Sequence, residues 1–300
     1  MSLLKSQKQN KKLENVNEPV VRTPAQQAWR RFRKNKIAMV GAGLMIFLIL
    51  FVFIGSVVSP YNPDMVDLMS IRAKPSGKHW LGCDDLGRDL LTRLLHGGRI
   101  SLAVGLASAL LSMTLGTFIG ALAGFYGGKL DAILMRFTDL ILTIPMLPLL
   151  MVVGAVFKPS PIFLVVMISL LSWTKTARLV RSRFLSLRTL DYVKAARAIG
   201  AKNRRIIFNH LLPNSLGAIV VTATLAVGRA IITESTLSYL GCGINPPTAS
   251  WGNMLQSAQS TMTSAPLTAI APGMMILLTV LAFNFLGDGL NDAIDPKSDR

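Results

Sequence analysis

The sequence predicts an all-α integral membrane protein with six transmembrane helices. Three observations carry this reading. Hydrophobic residues make up 51% of the 300 residues. They gather in blocks of about twenty, the length that crosses a bilayer as a helix. The basic residues, which set a net charge of +17, cluster between those blocks, as they do in loops held on the cytoplasmic side.

Residues 1–36 hold ten Lys or Arg against Glu14 and Glu18. Met1 to Val20 reads as disordered, and Pro24 to Lys36 as a basic helix along the membrane surface. Residues 37–58 form the first span. The block is longer than the apolar region of a secretory signal and has no small-residue cleavage site. Residues 59–99 are an extracytoplasmic loop of mixed charge that opens on the turn cluster Pro60-Tyr61-Asn62-Pro63.

Residues 100–290 make a core of five further helices. Ile100 to Tyr126 is the second span, where Gly116, Gly120 and Gly124 line up as a face for close helix packing. Asp131 to Phe157 is the third. Arg136 and Asp139, three residues apart on it, are expected to pair, and Pro145 and Pro148 to bend it. Pro161 opens the fourth span, which continues as helix to Leu187. Leu216 to Leu240 is the fifth, with Arg229 and Glu234 inside it. An uncharged outer stretch, 241–266, follows, with Trp251 suited to an interfacial anchor. Leu267 to Leu286 is the sixth span, and 291–300 a cytoplasmic tail. An even number of spans puts both termini and every long basic segment on the cytoplasmic side.

Several function classes fall away. The charge flanks apolar spans and holds few aromatics, so it reports topology, not nucleic-acid binding. Cys83 and Cys242 are too few for a disulfide framework; one bridge and two free thiols both remain open. His79, His96 and His210 form no ligand-spaced cluster. The chain has no phosphate loop and no nucleophile–base constellation. The acids near His79 read as turn and capping carboxylates paired with Arg88 and Arg93.

The chain turns on a basic island at 188–213. Residues 175–205 hold ten Lys or Arg and one acid, Asp191. Asp191 reads as the N-cap of a short helix. Val193, Ala196 and Gly200 share one face of it, and Lys194 and Arg197 another. Gly200 ends the helix at a positive φ. A second helix, about Lys202 to Leu211, is expected to stop before Pro213. Composition alone also fits an amphipathic helix lying on anionic lipid.

The motif Ala195-Ala196-x3-Gly200-x9-His210-x-Leu212-Pro213 resembles the EAA loop of bacterial ABC importer permeases. Lys194 departs from the usual Glu, and His210 from the usual Ile. The run His79-Trp80-Leu81-Gly82-Cys83-Asp84-Asp85-Leu86-Gly87-Arg88-Asp89 resembles the outer signature of the dipeptide, oligopeptide and nickel branch. The stretch from Glu234 to Gly252 and the tail from Asn284 to Pro296 resemble the same branch.

This resemblance implies a type I (MetI-like) permease fold in the bacterial inner membrane. It implies a permease subunit of an ATP-driven importer, most simply for di- or oligopeptides, with nickel chelates or glutathione-like molecules as alternatives. A secondary transporter is the rival class, marked by ionisable groups and broken helices at mid-membrane. The implied partners are a second homologous permease, two ATP-binding subunits carrying ATP and Mg, an extracytoplasmic solute-binding protein and membrane lipid. The chain itself would bind no cofactor and hydrolyse no ATP. ATPase coupling would fall to Asp191, Lys194, Ala195, Ala196, Arg197, Gly200, His210, Leu212 and Pro213. Outer docking or gating would fall to Asp84, Gly87, Arg88 and Asp89.

Overall fold

The computed structural model describes residues 24–157 and 159–294. The expected disordered segment 1–20 and the end of the tail lie outside them. A short basic helix, α1 (Pro24–Lys34), leads into the first span, α2 (Lys36–Val58). Asn35 sits between the two and caps α2 by accepting the N–H groups of Ile37 and Ala38.

The second span, α3 (Leu90–Tyr126), starts ten residues before the expected Ile100. The reason is its cap. The carboxylate of Asp89 accepts both the backbone N–H and the hydroxyl of Thr92, at 2.8 and 2.7 Å. That satisfies the helix start, so Arg93, His96 and Arg99 become helical rather than loop residues.

The third span is broken. Helices α4 (Gly128–Thr143) and α5 (Met146–Phe157) meet at 74°. Pro145 causes the break, because it drives Ile144 into an extended conformation, φ −77° and ψ 122°. Pro148 bends nothing. It lies in the first turn of α5, where a missing N–H is harmless.

The fourth span, α6 (Pro161–Leu187), runs as expected into the basic island. It packs on α3 more extensively than any other pair of elements does. The three glycines read as a packing face supply that contact. A Cβ on Gly116 would lie 2.6 Å from the Thr176 Cβ, and one on Gly124 would lie 2.7 Å from the Phe184 Cβ. Only glycine permits backbones this close.

The island forms α7 (Asp191–Ala198) and α8 (Asn203–Ile206). The expected stop before Pro213 does not occur. A π-turn over Ile207–Leu211 joins α8 to the fifth span, α9 (Leu212–Tyr239). Pro213 lies in the first turn of α9. The bonding register shifts just ahead of it, with the Leu212 N–H reaching Ile207 O. The amide of Asn214 caps the His210 carbonyl at 2.6 Å, so a proline is absorbed where it would ordinarily end a helix.

Beyond α9 the uncharged stretch folds back into the bundle as α10 (Trp251–Ala258), wedged among α3, α9 and the last span, α11 (Leu267–Ile294). Trp251 is therefore no interfacial anchor. It is fully buried, and its indole N–H finds Leu94 O inside the protein. The sixth span continues eight residues past the expected Leu286, to Ile294. Among the described residues, five helices are each long and apolar enough to span a membrane, and the bent α4–α5 pair, taken as one span, brings the number to six.

Candidate functional site

Three regions hold the residues singled out by the sequence. The first is the basic island. Val193 and Ala196 face inward and are buried, Val193 in one cluster with Phe125, Val180, Phe184 and Ile206. They are spent on this chain's own core. The face left outward is Tyr192, Ala195 and Ile199, at helical spacing, with Ile199 86% exposed.

Gly200 departs from the face assigned to it. It is exposed, and a Cβ built on it meets nothing within 4 Å. Its role is conformational. At φ +82° it lets the N–H groups of Gly200 and Ala201 turn back onto Arg197 O and Ala196 O. Asp191 is not the N-cap either. Leu190 occupies that position, and Asp191 begins the helix proper and accepts Lys194 Nζ at 3.0 Å. A carboxylate in the first turn still suits the helix dipole. Arg197 lies over the Phe125 ring and His210 beside Tyr192. Leu212 is half-buried and Pro213 exposed.

The second region is the loop between α2 and α3. Asp84, Arg88 and Asp89 are all buried. Asp84 accepts the Arg88 Nε at 2.7 Å and the backbone N–H groups of Leu86 and Arg88. Arg93 Nε stands 3.5 Å from the same carboxylate, while its Nη1 donates to Pro63 O. Asp89 holds the His79 ring as well as the α3 cap. Gly87, at φ +72°, leaves no room for a Cβ beside Asp67 O. Asp84, Arg88, Asp89 and Arg93 thus each have a partner, and they tie the loop as a cap on the bundle. Cys83 lies in this cap as a free thiol, and Cys242 is also free. Burial, then the nearby carboxylates of Asp89 and Asp84, push Cys83 up to about 11.

The third region was not assembled from sequence. A cavity of about 440 Å³ opens between α3, the α4–α5 break, α6 and α9. Among the described residues its charged lining is Lys175 and Arg229, beside hydroxyls from Ser108, Ser112, Ser172 and Thr222. Lys175 stands where the apolar part of α6 gives way to its basic end and Arg229 within the apolar block of α9, and neither has an ion-pair partner among the described residues. A charge at the bilayer centre costs about 2.5–3.5 kcal/mol on insertion scales unless it faces a polar cavity or a partner. The signal available in sequence was Arg229 within an apolar block. The fold was needed to bring Lys175 to it.

The acids of the membrane region are partnered. The expected Arg136–Asp139 pair does not form. Asp139 takes Arg178 Nη2 at 2.5 Å instead, tying α4 to α6, and Arg136 is exposed. Spacing of three made the intrahelical pair possible, but the neighbouring span offers a guanidinium that also joins two elements. Asp131 receives Arg181 through two parallel bonds. Glu234 is fully buried and accepts only hydroxyls, from Ser101 at 3.0 Å, Ser235 at 3.3 Å and Ser238 at 2.8 Å. Ser101 in turn accepts the Trp251 N–H, and Ser238 the Ile244 N–H.

Residues 116–300 match the family described as binding-protein-dependent transport system inner membrane component, and residues 23–75 match the N-terminal TM domain of oligopeptide transport permease C. The chain belongs to this permease family. It is 43% identical over 94% of both chains to the glutathione transport system permease protein GsiD of Pectobacterium atrosepticum. It is 40% identical to the dipeptide transport system permease protein DppC of Bacillus subtilis, covering 98% of this chain and 92% of that one. It is 39% identical to the oligopeptide transport system permease protein OppC of the same organism, covering 90% and 88%. The resemblance read from the island and the outer signature agrees with these matches. The protein is an integral inner-membrane permease component of an ABC importer. The chemistry of ATP hydrolysis is foreign to permease subunits of this kind.

Proposed function

We propose that this chain is one of two permease subunits of an ATP-driven importer for di- or oligopeptides. It forms half of the translocation pathway and couples to an ATPase subunit through 188–213. The single observation that carries the coupling role is the exposed stripe Tyr192–Ala195–Ile199, framed by basic residues and braced from behind by buried Val193 and Ala196. A second, homologous permease completes the pathway, two ATPase subunits bring ATP and Mg, and a solute-binding protein delivers cargo at the cap. Both termini and the island face the cytoplasm. Glutathione is itself a tripeptide, so the GsiD relative falls within this substrate class.

Reconstituted complex in liposomes tests the reading. ATP-dependent uptake of a di- or tripeptide that requires the binding protein is the expected result. Uptake driven by a proton gradient without nucleotide would replace it with a secondary transporter. Orientation is tested in intact cells with an impermeant thiol reagent. Single cysteines at Lys74 and Thr248 should label from outside, and one at Lys202 should not.

A further inference from the structure

We propose that the cavity between α3, α4–α5, α6 and α9 holds the anionic end of the transported solute, a carboxylate in a peptide-class cargo, against Lys175 and Arg229. The inference rests on the importer reading above and adds a chemical polarity to its pathway. Three observations converge. The cavity is large enough for a few residues of peptide at about 440 Å³. Its two charged walls are both cationic, and they come from different helices, α6 and α9. Ser108, buried at 1% exposure on the same wall, has a hydroxyl with no hydrogen-bond partner. Buried hydroxyls in folded proteins are nearly always satisfied, so this one awaits a ligand or water.

The surrounding charges do not cancel the two cations. Asp139 is engaged by Arg178, Asp131 by Arg181, and Glu234 by three serines, and none of the three acids lines the cavity. A water-filled space with low-dielectric walls and one sign of charge concentrates the opposite ion. A free carboxylate at the end of a small peptide is such an ion, and a guanidinium binds it through two parallel hydrogen bonds. Ser172 adds a hydroxyl beside it, and Ser112 and Thr222, which donate to Ala109 O and Ala218 O at 3.0 and 2.9 Å, can exchange those bonds for the solute, so it is held without being trapped.

The test uses the assembled complex with Cys83 and Cys242 replaced by Ser, and Ser172→Cys or Thr222→Cys as reporter. Labelling by anionic sulfonatoethyl methanethiosulfonate should exceed labelling by the cationic trimethylammonium analogue about tenfold, after correction for intrinsic reactivity. Lys175→Gln with Arg229→Gln should abolish that preference. A reporter unreactive with and without ATP overturns the proposal, because the cavity is then closed to solvent. Equal rates for the two reagents also overturn it, because acids of the second permease then neutralise the pair. A transport arm compares trialanine with trialaninamide at saturating binding protein. The double substitution should lower trialanine uptake at least tenfold and trialaninamide uptake much less, with Lys175→Arg and Arg229→Lys largely retaining both. An equal fall for both solutes overturns the carboxylate role. Failure of the importer reading shows differently, as absence of ATP-dependent uptake by the unsubstituted complex, while the labelling arm still decides whether the cavity is cationic.

Discussion

The indole N–H of Trp251 donates to the backbone carbonyl of Leu94 at 3.0 Å, joining residues 157 positions apart. The ring fills the space that Gly98 leaves open. A Cβ there would come within 2.8 Å of it and within 2.9 Å of a Val52 methyl. Trp251→Phe should cost about 1 kcal/mol through the lost hydrogen bond. Trp251→Ala should cost about 3–5 kcal/mol through the cavity left behind. Thermal denaturation of the purified chain, followed by size exclusion, should rank wild type, Phe and Ala in that order.

Asp84 carries two buried guanidinium groups. Asp84→Ala leaves Arg88 with only Asp85 at 3.8 Å and Arg93 with only Asp64 at 3.3 Å, and breaking such a buried pair costs about 3–5 kcal/mol. Membrane abundance of the chain should fall sharply. Arg88→Ala with Asp89→Ala should fall too, because the α3 cap goes with them. Normal abundance and assembly with selective loss of transport would instead assign this loop to docking or gating.

Cys83 should be inert. Its pKa rises from 9.0 to about 11, so at pH 8 only about one thiol in a thousand is ionised. Alkylation should stay negligible in the folded chain and rise about tenfold per pH unit until pH approaches 11. The sign for stability follows. Above pH 9 the unfolded chain loses this proton before the folded one does, so alkali destabilises the fold through this group. Cys83→Ser should remove that share of the alkaline loss.

Gly200→Val should weaken the island through its backbone alone. The site has φ +82° and open space around it, so the cost is the strain of a β-branched residue in a left-handed conformation, about 1–3 kcal/mol. Gly200→Asn should be much milder, since asparagine tolerates that region. Ile199→Asp should lower ATPase recovery without changing membrane abundance, because its side chain is 86% exposed on this chain and faces the partner in the proposed coupling. Co-purification of ATPase subunits, normalised to permease, measures all three.

Glu234→Gln should destabilise the cap end by about 1–2 kcal/mol. Ser101 and Ser238 each accept a backbone N–H and pass their own proton to this carboxylate. An amide supplies one acceptor where two oxygens now serve, so one hydroxyl must turn away. Glu234→Ala leaves three buried hydroxyls without an acceptor and should be worse. Melting of the purified chain should show the order Glu, Gln, Ala.

The spans were legible because a bilayer demands length and apolarity, and both are written in one dimension. The packing face at Gly116, Gly120 and Gly124 was legible for the same reason, since spacing of four fixes a helix face. What failed was partner choice. Asp139 had a neighbour three residues away and took one 39 residues away. Trp251 had the composition of an anchor, but Gly98, far off in sequence, had already cleared a pocket for it. The island's periodicity showed that Val193 and Ala196 share a face. It did not show which side of that face the rest of the molecule occupies. Lys175 and Arg229 became a pair only once α6 and α9 stood against one cavity.

The π-turn gives the protein a beam. From Asn203 to Tyr239 the chain is one helical run of 37 residues, about 55 Å long. No joint separates the basic turn at one end from Glu234 near the other. Val193 of α7 and Ile206 and Leu211 of the beam share one apolar cluster, so α7 serves as a short crank fixed to a long arm. A tilt of about 5° at the crank displaces the far end by about 5 Å. That is enough to pull the Glu234 carboxylate off Ser101 of α3, while Ser235 and Ser238 move with it on α9. In the proposed coupling, a load applied to Tyr192 and Ile199 would be delivered across the membrane by leverage, through a single rigid member in which Pro213 is embedded without breaking it.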